Sequence, residues 1–203
     1  SYYFGEKFIV KLFSLEIENQ RTNNLDEYYN EINFLLKSPE GFIAPELLLH
    51  GKNHKSAWLV RHYMPGLLLV DLMEKGIVYN AEQIISDVLN QLVLLEAIGL
   101  YHNDVRTWNI LISPEGKAIL LDYGAITFKK ADCVWPNNVF LAFIIFVREV
   151  LQRKTASSNP LRQPLFDLQA LPANYCEGFN AFLARPECDW SFFCHACPLF
   201  NQF

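Results

Sequence analysis

The sequence predicts an α+β fold of two lobes, and three observations predict it. First, His102-Asn103-Asp104-Val105-Arg106-Thr107-Trp108-Asn109 is followed, thirteen residues after its Asn, by Asp122-Tyr123-Gly124, with apolar strand-like segments between. Second, Lys11 lies inside the strand-like run Phe8 to Phe13, and Glu31 follows twenty residues later in a helical stretch. Third, strand-like runs early in the chain lead to a turn at Pro65-Gly66, and long helical stretches lie beyond it. These divide the chain into a small lobe with its hinge, residues 1–66, and a larger lobe, residues 67–203.

Each element follows from its residues. Tyr2 to Phe13 reads as two successive strands of the small lobe. The next helix is expected to start near Asn23 or Asn24, both good cap residues, and to run to about Lys37 through Leu25, Tyr28, Tyr29, Ile32 and Leu35. Ala57 to Val60 is a strand leading into Arg61-His62-Tyr63-Met64-Pro65-Gly66, read as a hinge with backbone groups near His62, Tyr63 and Met64 facing a nucleobase edge. Leu67 to Lys75 is helix-like. Ala81 to Gly99 carries Ile84, Ile85, Val88, Leu89, Leu92, Leu95 and Ile98 at helical spacing, with Gly99 as the stop. Asn109 to Ser113 and Lys117 to Leu121 form a hairpin about Pro114-Glu115-Gly116, which brings Asn109 and Asp122 to one end of two strands. Val139 to Val147 is a nine-residue apolar run, too short to span a bilayer, and reads as the central buried helix of the large lobe. Residues 152–163 read as a surface loop.

Phosphoryl transfer needs a carboxylate to orient or deprotonate the attacking hydroxyl, oxygen ligands for magnesium, and a cation on the nucleotide phosphates. Asp104 supplies the first, Asn109 and Asp122 the second, and Lys11 held by Glu31 the third. A lone His-x-Asp is common by chance, but its combination with an Asn five residues on and an Asp-aromatic-Gly at this distance is specific. The fold implied is protein-kinase-like. Taken alone, Lys11 reads as an edge-strand lysine and Glu31 as a solvated helix residue; the downstream motifs favour the pair. His102 reads as structural, Tyr123 as a packing residue, and Trp108 as lining an acceptor site or packing into the lobe.

Tyr101 to Asn109, with Asp122-Tyr123-Gly124 and Asp132-Cys133-Val134-Trp135-Pro136, resembles the kinase domain of bacterial O-antigen chain-terminating enzymes. In that family a methyltransferase domain precedes a eukaryotic-like kinase domain, which phosphorylates the terminal mannose of a polymannose O-antigen and stops its elongation. The resemblance covers about residues 2–150. It implies Asp104 as catalytic base, Asn109 and Asp122 as magnesium ligands, and Lys11 with Glu31 as the phosphate-binding pair. Arg106 then lies near the transferred phosphoryl group. ATP and Mg2+ are the implied cofactors, a sugar or polysaccharide the acceptor, and an upstream methyltransferase domain the fused partner.

Two departures shape the expectation. Gly5 is the only glycine in the first forty residues and the chain begins at Ser1, so a fragment is expected, with a truncated small lobe lacking its phosphate loop. Asn103 stands where kinases carry Arg, and seven residues separate Gly124 from Asp132, too few for a long phosphorylatable segment. A sugar or other small hydroxyl acceptor fits better than a protein. The alternatives are a kinase for another small molecule or core lipopolysaccharide sugar, and a pseudokinase scaffold.

With 203 residues, 51% of them hydrophobic, the chain can bury the core of one domain or two small lobes. Its net charge of −5 carries no basic patch, so nucleic acid is not an expected partner. Cys133, Cys176, Cys188, Cys194 and Cys197 include a C-x-x-C, but the spacing matches no zinc module and reads as reduced thiols. The expected location is the cytoplasm, with peripheral association at the inner membrane through regions outside this chain.

Overall fold

The computed structural model describes residues 2–5, 7–128, 139–155 and 171–183. The small lobe is an antiparallel sheet of β1 (Tyr2–Phe4), β2 (Phe8–Ser14), β3 (Leu47–Lys52) and β4 (Ser56–His62) in the order β1-β2-β4-β3. Alternation along β2 buries Ile9, Lys11 and Phe13 on one face, and along β4 it buries Ala57, Leu59 and Arg61. Because Ile9 pairs with Arg61 and Lys11 with Leu59, these six side chains share the face that α1 (Glu18–Leu36) covers.

Helix α1 starts earlier than its asparagines suggest. Asn24 is not the cap: its Nδ2 donates to the Ser14 carbonyl at 2.7 Å and ties the helix to the end of β2. The helix belongs to both lobes. Tyr28 and Ile32 pack with Phe13, Leu15, Ala57 and Leu59 in a small core, whereas Phe34 and Leu35 enter the large core, where Phe34 stacks on Tyr123 at 5.2 Å between ring centroids. Any tilt of α1 therefore moves Glu31 and Tyr123 together.

In the large lobe β5 (Leu67–Leu68) precedes α2 (Leu69–Glu74), so the expected helix begins two residues late: Leu67 and Leu68 pair instead with Ile112 and Leu111. A Cβ at Gly66 would collide with the Ile112 carbonyl, and its φ of +153° suits glycine, which is how the hinge reaches this strand. Helix α3 (Ala81–Ala97) is capped by Asn80, whose side chain accepts from the Gln83 N–H, and Gly99 follows its end at φ +74°. Next come β6 (Tyr101–His102), the hairpin β7 (Ile110–Ile112) and β8 (Ala118–Leu120), and β9 (Ile126–Thr127), which pairs with β6.

The outer edge of β8 is satisfied by side chains of α3. Asp87 Oδ2 accepts from the Ala118 N–H, while buried Gln91 accepts from the Leu120 N–H and donates to the Ala118 carbonyl, all at 2.8–2.9 Å. The hairpin that carries Asn109 and Asp122 is thereby fixed to the lobe's core helix. Helix α4 (Val139–Gln152) buries Phe143, Ile144, Phe146, Val147 and Val150, and α5 (Ala173–Leu183) adds Tyr175 and Phe179. Among the described residues no helix is long and apolar enough to cross a membrane. Asp132, Cys133, Trp135, Pro136, Cys188, Cys194 and Cys197 lie outside the described residues, as does most of the expected loop at 152–163.

Candidate active site

Lys11 projects from the middle of β2 under the sheet and is only 4% exposed. Its Nζ lies 2.7 Å from Glu31 Oε2 and 3.1 Å from Asp122 Oδ1, so α1 and the turn after β8 meet on one ammonium. A third carboxylate, Glu27 Oε1, also reaches it at 2.7 Å. Glu27 sits one helical turn before Glu31 and shares its face, a spacing legible in the sequence but given no role there. Burial alone would lower the Lys11 pKa, but Glu31, Asp122, Tyr2 and Glu27 outweigh it and hold the amine well above its ordinary range. Burial pushes the Glu31 carboxyl up, against the pull of Lys11 and Arg61. The two shifts oppose each other, and three carboxylates about one ammonium decide the matter for a protonated Lys11.

Asp122 adopts left-handed backbone angles, φ 61° and ψ 61°, which aspartate tolerates better than most residues. That twist leads into a short 3-10 turn, Tyr123–Ala125, and the Leu121 N–H donates to the Asn109 carbonyl at 2.7 Å, joining the two ends of the hairpin. Asn30 donates to the Gly124 carbonyl at 3.3 Å. Gly124 has no room for a side chain: a Cβ would collide with Glu27 Cγ and stand 3.1 Å from the Glu27 carbonyl. Gly124→Ala is expected to cost about 1–3 kcal/mol of stability, the usual range for an overpacked contact, measurable by denaturant titration.

The catalytic-loop residues form a second cluster. Asn109 Nδ2 donates to both Asp104 Oδ2 and the Asp104 backbone carbonyl at 2.9 Å, which leaves Asn109 Oδ1 as its acceptor. Arg106 Nε donates to Asp104 Oδ1 at 3.3 Å, and its guanidinium lies 5.1 Å from the centre of the Trp108 ring. Asp104 is thus oriented through both oxygens while its side chain stays 40% exposed.

His102 is fully buried beneath this loop. Its Nδ1 accepts from the Asp104 N–H at 3.2 Å, so Nε2 carries the proton and donates to the Leu121 carbonyl at 2.8 Å. Both ring nitrogens are occupied by backbone, and burial lowers the imidazole pKa. A histidine whose folded pKa is depressed contributes its stability above the unfolded value, about 6.5, and loses it as pH falls below that value. Thermal unfolding between pH 7.5 and 5 should show a loss of up to about 1.4 kcal/mol per pH unit from this group. The slope should be shallower in His102→Gln; an equal slope would show that His102 does not titrate on unfolding.

A cavity of about 390 Å³ opens between the lobes' site residues, lined by Ile9, Glu31, Arg61, Tyr63, Met64, Leu68, Trp108, Asn109, Leu111 and Asp122 among others. Of the three residues of the expected hinge, Tyr63 and Met64 line this cavity. His62 does not: as the last residue of β4 it faces outward, its N–H donates to the Glu46 carbonyl at 3.0 Å, and its ring lies 3.3 Å from the Glu46 carboxylate. Strand alternation turns Arg61 into the cavity in its place. Asp104 is outside the cavity lining but is held to it through Asn109.

No protein-family model matches the chain. It is 35% identical over 199 residues to the O-antigen chain terminator bifunctional methyltransferase/kinase WbdD of Escherichia coli, a match that takes in 94% of this chain and 28% of that protein. It is 31% identical over 123 residues, 57% of its length, to the probable serine/threonine-protein kinase mkcE of Dictyostelium discoideum, covering 16% of that protein. A solved structure of WbdD with an ordered C-terminal bundle superposes with a TM-score of 0.86 at 32% identity, over 99% of this chain and 41% of that one. WbdD with a kinase inhibitor gives 0.78 at 30% identity, over 99% and 42%. The chain spans little more than a quarter of the curated WbdD relatives, 28% of their length, and its fold is protein-kinase-like.

Proposed function

We propose that this chain, a homologue over nearly all its length of the O-antigen chain-terminating methyltransferase/kinases, transfers the γ-phosphoryl group of ATP to a sugar hydroxyl, the terminal mannose of a lipopolysaccharide O-antigen. One observation carries the reading. Lys11 lies within 3.1 Å of both Glu31 and Asp122, which line the cavity, and Asn109 in the same lining holds Asp104 by a 2.9 Å bond.

Asp122 and Asn109 Oδ1 are hard oxygen donors facing one cavity, a donor set suited to magnesium. Magnesium, when bound, neutralises charge on the phosphates. Lys11 turns from its carboxylates toward the nucleotide phosphates, and Glu31 keeps the ammonium in place. Asp104, oriented by Arg106 and Asn109, accepts the proton of the acceptor hydroxyl as the new O–P bond forms and the β–γ bridge breaks, leaving a nucleoside diphosphate. Trp108, 36% exposed and next to the Arg106 guanidinium, offers an aromatic ring on which a sugar can stack. We further place the chain in a longer protein with an upstream methyltransferase domain, acting in the cytoplasm at the inner-membrane face.

The test is transfer of label from radiolabelled ATP with magnesium to short α-linked mannose oligosaccharides, using the protein with its upstream sequence. Label on the oligosaccharide is the expected result; none, with nucleotide demonstrably bound, would sink the acceptor. The same assay checks Glu27, which competes with the phosphates for Lys11. Being partly exposed, its pairing is worth no more than about 1 kcal/mol, so Glu27→Gln should lower the KM for nucleotide about two- to fivefold.

A further inference from the structure

The inner wall of the cavity carries a charged group that phosphate transfer leaves unused. Arg61, on β4 two residues ahead of Tyr63, is only 6% exposed and lines the cavity. Its Nε is enclosed and has no hydrogen-bond partner among the described residues. Among the described residues the guanidinium faces Glu31 Oε1, 4.0 Å from Nε, and the Tyr123 ring, 5.7 Å away. Glu31 bonds Lys11 through its other oxygen, Oε2, at 2.7 Å, so Arg61 shares this carboxylate. A guanidinium offers five N–H donors and no acceptor, and one carboxylate oxygen at 4.0 Å leaves most of them without a hydrogen bond, so the wall suits a ligand atom that accepts.

We propose that Arg61 selects the nucleobase: the cavity takes purine triphosphates with a carbonyl oxygen at ring position 6, such as GTP and ITP, at least as well as ATP. This rests on reading the cavity as the nucleotide site. Ile9 from the sheet and Leu111 from the hairpin wall the cavity with apolar surface, and Tyr63 and Met64 bring hinge backbone to it. A purine whose six-membered ring faces that backbone turns its 6-substituent toward Arg61. In guanine and hypoxanthine the substituent is an oxygen that accepts from the guanidinium. In adenine it is an amino group, whose hydrogens meet donors and a positive charge.

The experiment is titration calorimetry of the protein with ATP, GTP and ITP in magnesium buffer, for the wild type, Arg61→Met and Arg61→Gln. Inosine shares the 6-oxygen with guanine but lacks its 2-amino group, so agreement of GTP with ITP assigns the effect to position 6. The wild type should bind GTP and ITP at least as tightly as ATP, and Arg61→Met should weaken both by about tenfold or more while sparing ATP, as expected for loss of a charged donor. Arg61→Gln, whose carbonyl can accept from an adenine amino group, should shift the preference toward ATP; it serves if the Met variant does not fold. Three results overturn the proposal: more than tenfold preference for ATP in the wild type, an equal loss for all three in the variants, or no change. If none of the triphosphates binds, the nucleotide reading itself fails with it; if all bind and neither variant changes their relative affinities, only the role of Arg61 fails.

Discussion

Asp104→Ala should lower kcat for phosphoryl transfer by about a thousandfold, within the range for removing a positioned general base, while nucleotide affinity stays within about twofold. The split follows from geometry. Asp104 stands outside the cavity lining and is partly exposed, so nucleotide affinity is not expected to depend on it; its oxygens are held by Arg106 and Asn109. Removing it leaves Asn109 Nδ2 its bond to the backbone carbonyl of residue 104, so the loop keeps one of its two ties. Steady-state kinetics with direct nucleotide titration would check this. Equal loss of affinity and turnover would move Asp104 from catalysis to architecture.

Lys11→Met should be worse for the molecule than for the reaction alone. The substitution leaves Glu31, 1% exposed, beside Asp122 and Glu27 with no ammonium between them, and Arg61 is 4.0 Å away. Breaking a buried ion pair from one side costs about 3–5 kcal/mol, because the remaining charge stays desolvated. Nucleotide binding should fall below detection together with a drop in unfolding midpoint. The double variant Lys11→Met with Glu31→Leu should recover stability but not binding, since it removes the stranded charge without restoring the cation. Denaturant melts and nucleotide titration on the two proteins separate these effects; an unchanged midpoint in Lys11→Met would mean that Glu31 is not ionised in the folded protein.

Much of the fold was legible because local chemistry and tertiary outcome agree. The hairpin at residues 109–121 has β-forming runs about a Pro-Glu-Gly turn, and α3 has an apolar stripe with an asparagine cap and a glycine stop. The start of α1 was not legible. Asn23 and Asn24 are good caps in isolation, yet the β2 terminus takes Asn24, and such a partner is invisible from local sequence. The late start of α2 has the same origin, since Leu67 and Leu68 are claimed as strand by a hairpin some forty residues away.

What the sequence by itself determined is the chemical kit: a lysine in a strand, a glutamate in a helix, and the Asp104, Asn109 and Asp122 spacing around a hairpin, all set by covalent order and short-range periodicity. What only the tertiary structure decided is which neighbours share that kit. Glu27 reaches Lys11 because α1 lies across β2, and Arg61 replaces His62 at the cavity because the last residues of β4 keep their strand alternation to the end. Side-chain direction in a strand flips with each residue, so the register of β4 determines whether Arg61 or His62 faces the cavity, and that register is set by pairing with β2 and β3, distant in sequence.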